Sequence, residues 1–208
     1  MKKIFFMMAM AAMVAVSCNK EGDDNKGTNG GDEPVVEQAR LIENFEGEAP
    51  MISWNAESGE VFSVVDNPSK TGINTTAKVG KVVSGGQQWG FLWTTTFGGG
   101  SYQDSPEEIE FLNWSEEGYI IKVDVYTSVA NSPVYLKVES GGAGDPSTYE
   151  ISNVTTTKVN EWETLEFDYE PAGLADGTYG NFVILFNAGL ATEGGEVFYF
   201  DNVRVCAE

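Results

Sequence analysis

The chain has 208 residues, room for one sizeable domain rather than two. It carries 32 acidic against 12 basic side chains, a formal charge of −20, and no histidine. So acidic a surface repels nucleic acid and anionic lipid headgroups, and the missing histidine removes the usual general base and the commonest zinc ligand.

Lys2 and Lys3 precede an apolar run from Ile4 to Val16, which ends in Ala15-Val16-Ser17-Cys18. A basic start, a short apolar stretch and a small-residue cleavage site predict a signal peptide over residues 1–17, too short to span a bilayer. The cysteine is the specific feature. It resembles the lipobox of bacterial lipoproteins, which implies cleavage before Cys18 and lipid attached to it. Ala15 stands where that motif usually has leucine. Loss of Lys2 and Lys3 takes the charge from −20 to −22. Residues 18–38 are rich in Gly, Asn and Asp and lack an aromatic, so they predict a flexible acidic tether. The early "KEGDD" resembles the signal that sends some lipoproteins of glycan-foraging Gram-negative bacteria to the outer face of the outer membrane. With Cys18 lipidated, Cys206 has no partner within the chain, and no disulfide is expected.

Residues 39–208 form the predicted folded domain. They show short alternating or wholly apolar runs divided by Gly, Asn, Pro and Asp, without sustained helical periodicity. "KVGKVV", "QWGFLWTTTF", "YIIKVDVYTS", "PVYLKVES", "TYEISNV", "WETLEFDYE", "NFVILFNAG" and "VFYFDNVRV" read as strands. In "YIIKVDVY" the apolar set is Ile121, Val123 and Val125, with Lys122, Asp124 and Tyr126 pointing the other way. In "PVYLKVE" Val134, Leu136 and Val138 oppose Tyr135, Lys137 and Glu139. One apolar and one polar face per strand predicts an antiparallel sheet packed on another. "NFVILF", apolar on both faces, predicts a central strand. The fold class is all-β, an antiparallel β-sandwich of jelly-roll type.

Trp89, Phe91 and Trp93 alternate in "GGQQWGFLWTTTF" and form a stripe on one face of a strand. Burying a large apolar side chain stabilises by about 1.5–3 kcal/mol, so the expectation is that Trp89 and Phe91 face the core. Trp93, nearer a loop, is expected to reach the surface. Trp54 and Trp162 are expected to be structural, and Trp114 to cover the sandwich edge.

No serine sits in a nucleophile elbow, and Cys206 lies near a strand end with no histidine to activate it. A glycosidase needs two acids roughly 5–10 Å apart across a cleft. The densest acidic cluster, "PEEIE" at 106–110, reads as a solvated turn. The expectation is a protein without catalysis.

The pieces "ENFEG", "VVDNPSKTGINTTAKVGKVV", "QWGF", "VYLKVE", "NEWETLEFDY", "VILFNAG" and "FYFDNVRV" occur in order over residues 41–205. As an ordered set they resemble the non-catalytic jelly-roll carbohydrate-binding module of bacterial laminarinase-type glucanases and surface glycan-binding lipoproteins. The E-x-D-x-x-E pattern of the laminarinase-type hydrolases is absent. The resemblance implies a lipid-anchored polysaccharide-binding protein, for a β-glucan-type glycan, in a glycan-uptake system with glycan-degrading enzymes and an outer-membrane transporter. It also implies a structural Ca2+ held by Glu43 or Glu46 and by Asp201, with a carbonyl near Lys78 or Gly80. The plain alternative is that these acids are exposed edge charges.

A pyranose offers C–H faces and hydroxyl edges, so a glycan site needs a flat ring flanked by polar groups. Gln88 and Trp93 are the candidates on the stripe. Tyr126, Tyr135 and Lys137 are expected to share the polar face of adjacent strands, and Asn187 matches a cleft position in similar glucan-binding modules. The alternative for these is a solvated sheet face with ordinary cross-strand pairs. Two other functions stay open: a structural or adhesin-like surface protein that binds protein partners, and a small glycoside hydrolase.

Overall fold

In a computed structural model the described residues are 40–48, 50–94, 112–140 and 149–206. Eleven strands occur among them. They are β1 (Arg40–Glu43), β2 (Trp54–Glu57), β3 (Val61–Asp66), β4 (Lys78–Val83), β5 (Phe91–Thr94), β6 (Ile120–Thr127), β7 (Pro133–Ser140), β8 (Tyr149–Thr155), β9 (Glu163–Asp168), β10 (Tyr179–Phe186) and β11 (Val197–Cys206). One sheet runs β3-β4-β11-β6-β9, with β1 also on β11; the other runs β2-β5-β10-β7-β8. Every pairing is antiparallel. The expected β-sandwich is there, and "NFVILF" lies at the centre of its sheet as β10. Residues 95–97 of the predicted "QWGFLWTTTF" strand lie outside the described residues.

The alternation in sequence sets which faces meet. Val134, Leu136 and Val138 of β7 and Phe182, Ile184 and Phe186 of β10 are buried against Ile121, Val123 and Val125 of β6 and Phe198 and Phe200 of β11. The Phe186 and Phe198 rings stack across the sheets at 4.8 Å, and Phe45 meets Phe200 edge-on at 5.2 Å. Gly80 permits that packing, since a Cβ there would lie 2.7 Å from Phe200 and 2.8 Å from Phe45. The Tyr169 hydroxyl donates to the Leu136 carbonyl at 2.7 Å and ties β9 to the opposite sheet; burial pushes this phenol well above its ordinary range.

Trp54 and Trp162 are buried as expected, with the Trp162 indole N–H donating to the Ser69 carbonyl. Trp114 is fully buried at the start of a short helical turn, α1 (Trp114–Glu117), and lies in the core rather than over its edge. Lys122 and Asp124, expected on a solvated face, are buried too. Asp124 accepts from Thr164, Asn202 and Arg204, and Lys122 pairs with Glu166 at 2.8 Å. Cys206 is fully buried and disulfide-bonded, against the expectation that it stands alone; its partner lies outside the described residues.

Candidate functional site

The outward face of the β2-β5-β10-β7-β8 sheet carries a groove of about 680 Å³. Its position follows from register and a period of two. Trp93 pairs with Val183, Val183 with Lys137, and Lys137 with Ile151, which makes one row across four strands. Leu185 lies opposite Tyr135, and Glu139 opposite Tyr149. Because alternate residues share a face, Phe91, Trp93, Tyr135, Lys137, Glu139, Tyr149, Ile151, Val183 and Leu185 all line the groove, with Glu57 and Trp89 at one side. Three aliphatic side chains, of which Val183 is buried and Ile151 exposed, and five aromatic rings line it.

The stripe therefore faces outward, opposite to the expectation for Trp89 and Phe91. Leu92 and Thr94 point into the core, at 1% and 0% exposure, while Phe91 and Trp93 are half-buried and Trp89 is 52% exposed. The strand starts only at Phe91, after a turn closed by the Gly90 amide on the Gln87 carbonyl, so Gln88 and Gly90 never compete for the inner face. Thr94 is tolerated inside because its hydroxyl accepts from the Phe182 amide at 2.8 Å. Trp93 reaches the surface as expected, and its indole N–H donates to Glu57 at 3.4 Å.

The other candidates divide. Tyr135 and Lys137 line the groove. The Tyr135 ring lies 6.3 Å from that of Trp89, and the Lys137 ammonium lies 4.3 Å from the Tyr149 centroid while pairing with Glu139. Tyr126 does not join them. Strands β6 and β7 follow each other in sequence but belong to opposite sheets, and Tyr126 packs on Trp162 and Tyr199 at 5.5 and 5.9 Å. Gln88 lies beside the groove, where its side-chain amide donates to the Gly189 carbonyl. Asn187, at φ 54°, is buried at the end of β10, its side-chain oxygen accepting from the Ser132 hydroxyl, and it lines no part of the groove. Unforeseen were Glu57, Glu139, Tyr149, Ile151, Val183 and Leu185. The alternation that placed Lys137 outward also places Glu139 there, and extending it to β8 and β10 reaches the rest.

The acids expected to hold calcium are all engaged by hydrogen bonds. Glu43 is buried and accepts from the amides of Asn44, Phe45 and Ile52; burial raises its pKa, against those hydrogen bonds. Glu46 accepts from the amides of Ala77 and Lys78. Asp201 accepts from Asn74, Thr76 and the Asn202 amide, and burial pushes its pKa up to about 7. Glu46 and Asp201 thus do approach the segment ending at Lys78. At Asp201 the Thr76 hydroxyl also lies 3.2 Å from the Lys78 carbonyl and 2.7 Å from the Asn74 side-chain oxygen, so carboxylate, hydroxyl, carbonyl and amide oxygens come together there. Among the described residues no three acidic or thiol side chains gather as a metal site.

The sequence matches no family model and no curated protein. Solved structures do match in fold. The family 11 carbohydrate-binding module from Clostridium thermocellum, in complex with a β-1,3-1,4-mixed-linked tetrasaccharide, superposes with a TM-score of 0.52 at 16% identity, over 81% of this chain and 95% of that one. The solution structure of CtCBM11 gives 0.51 at 13% identity, over 85% and 99%. An exo-β-agarase gives 0.54 at 14% identity, over 81% of this chain but 25% of the agarase. The chain has the jelly-roll β-sandwich fold of these carbohydrate-binding modules.

Proposed function

We propose that the chain binds a polysaccharide along the outward face of the β2-β5-β10-β7-β8 sheet. One observation carries the reading: five aromatic rings and three charged side chains gather in a single open groove. Pyranose rings stack through their C–H faces on such rings, while Glu57, Lys137 and Glu139 supply partners for hydroxyl edges. The fold shared with the module in complex with a mixed-linked tetrasaccharide supports the same reading, and a β-glucan is the glycan we propose. A shallow groove of this kind gives micromolar to millimolar affinity, about −4 to −8 kcal/mol. Binding, not hydrolysis, is the proposed activity. Of the groove's two carboxylates, Glu57 accepts from the Trp93 indole and Glu139 pairs with Lys137.

The lipobox-like Ala15–Cys18 and the acidic tether support attachment through lipid on Cys18, at the outer membrane facing the exterior. There the protein would hold glycan near degrading enzymes and a transporter. The test is affinity electrophoresis of the full chain through gels with laminarin, mixed-linkage glucan, xylan, mannan or no polysaccharide, each with calcium or chelator. Retardation by one glycan, lost in Trp93→Ala and without release of reducing ends, supports the reading. Unchanged mobility of folded protein throughout would move the function to a protein partner, for which edge strand β3 exposes Val61 and Val64.

A further inference from the structure

The groove holds three charged side chains, and Lys137 is its one cation among the described residues. Lys137 and Glu139 are two apart on β7, so both point into the groove. Glu139 pairs with the Lys137 ammonium, and the two side chains are 5% and 22% exposed. The ammonium also rests over the Tyr149 ring at 4.3 Å. It is therefore held between an anion and an aromatic face, and little of its attraction is left for a ligand.

The charge count gives this arrangement a consequence. With Glu57 and Glu139 against Lys137, the groove is net acidic, in a chain of charge −20. A carboxylate or sulfate on an incoming sugar meets that field and must compete with Glu139 for the ammonium. A neutral sugar meets neither cost, since it uses ring faces and hydroxyls. Rejecting a wrong ligand by an occupied or repulsive charge is specificity by exclusion.

Resting on the polysaccharide-binding reading, we propose that Glu139 is a specificity-determining residue: by occupying Lys137 it restricts the groove to neutral glycans and excludes acidic ones. Glu139→Gln keeps the shape of the side chain, removes its charge and releases the ammonium. The groove then carries no net charge and one available cation.

The experiment measures the affinity of the full chain for mixed-linkage glucan, laminarin, xylan and mannan, and for polygalacturonate and alginate. Wild type, Glu139→Gln and the double variant Glu139→Gln with Lys137→Met are compared. The readout is the ratio of acidic-glycan to neutral-glycan affinity. It should rise at least about tenfold in Glu139→Gln, about 1.4 kcal/mol. The gain should weaken with salt and disappear in the double variant. Glu139→Ala releases the same ammonium and is read in the same way should Glu139→Gln not fold. Wild-type binding to a neutral glycan with no rise in the ratio in either folded variant overturns this inference and leaves the binding reading standing. Wild-type binding to polygalacturonate as tight as to any neutral glycan also overturns it. No binding of any glycan by any protein overturns both.

Discussion

Gln88 and Gly189 hold each other by two hydrogen bonds: the Gly189 amide donates to the Gln88 carbonyl at 2.9 Å, and the Gln88 side-chain amide donates to the Gly189 carbonyl at 3.2 Å. The pair fixes the turn that carries Trp89, whose indole lies over Gly189 with room for a Cβ only in van der Waals contact, at 3.5 Å. Gly189 has φ +81°, which an L side chain adopts only with strain. Trp89 is half exposed and touches Tyr135, so it is held in place without being needed by the core. Trp89→Ala should therefore weaken glycan binding about tenfold, about 1.4 kcal/mol, with little change in Tm. Gly189→Ala should lower both. Isothermal titration and thermal melts of the two variants check this; a Trp89→Ala protein with full affinity would remove Trp89 from the site.

The phase of β5 makes a second, sharper prediction, because neighbouring residues on it serve different roles. Leu92 is buried in the core and Phe91 lies in the groove. Leu92→Ala should cost roughly 2–5 kcal/mol of stability through the cavity it leaves. Phe91→Ala, from a half-buried position, should cost about 1 kcal/mol, about half the lower-to-middle range for full burial, and should reduce glycan affinity. Denaturant unfolding with a binding assay on each variant decides it. The reverse pattern would restore the buried stripe that the sequence suggests.

Period-two alternation fixes which face a side chain takes only once the start of its strand and its sheet are fixed. Strands β6, β7 and β9 are legible in the sequence because each has a period of two with one apolar set, β10 because its run is apolar on both faces, and the sandwich follows from them. The orientation of β5 was not legible, because it depends on where the strand starts. The turn at Gln87–Gly90 delays the strand to Phe91 and leaves Leu92 and Thr94 facing in, so the rings face out. Tyr126 was misplaced for a different reason. Alternation assigns a residue to a face, but not its strand to a sheet, and β6 and β7 lie in opposite sheets. The alternation that places Lys137 on the outward face of β7 places Glu139 there as well.

Asp201 makes stability depend on pH. Burial raises its pKa from 3.8 to about 7, opposed by hydrogen bonds from Thr76, Asn74 and Asn202 and reinforced by the nearby charge of Asp124. Between those two values the unfolded chain releases this proton while the folded chain keeps it. The folded state then binds more protons, so stability falls as pH rises through the window. Glu43 and Glu60, also raised by burial, act in the same direction. Asp66 and Asp176 are held low by hydrogen bonds from Lys78 and Ser115 and act at more acidic pH. The Tm should decline from about pH 4 to about pH 7 and then level, and the decline should be shallower in Asp201→Asn. Parallel curves for the two proteins would show that Asp201 does not titrate in this range.

The chain has two cysteines, so a disulfide at Cys206 within one chain takes Cys18. A sulfur in a disulfide cannot also carry the thioether of a lipid, and the two states therefore exclude each other. The route of synthesis should select between them. Protein made without residues 1–17 carries no lipid, and in an oxidising buffer it should form the bridge and show no thiol reactive with Ellman's reagent. Protein taken from membranes after processing of the leader should carry lipid on Cys18 and one thiol. That thiol, Cys206, is fully buried in β11, so it should react only after denaturation. Intact-mass measurement with thiol titration on both preparations reads each state directly. A membrane-derived protein with the disulfide and no added lipid mass would refute the proposed anchor.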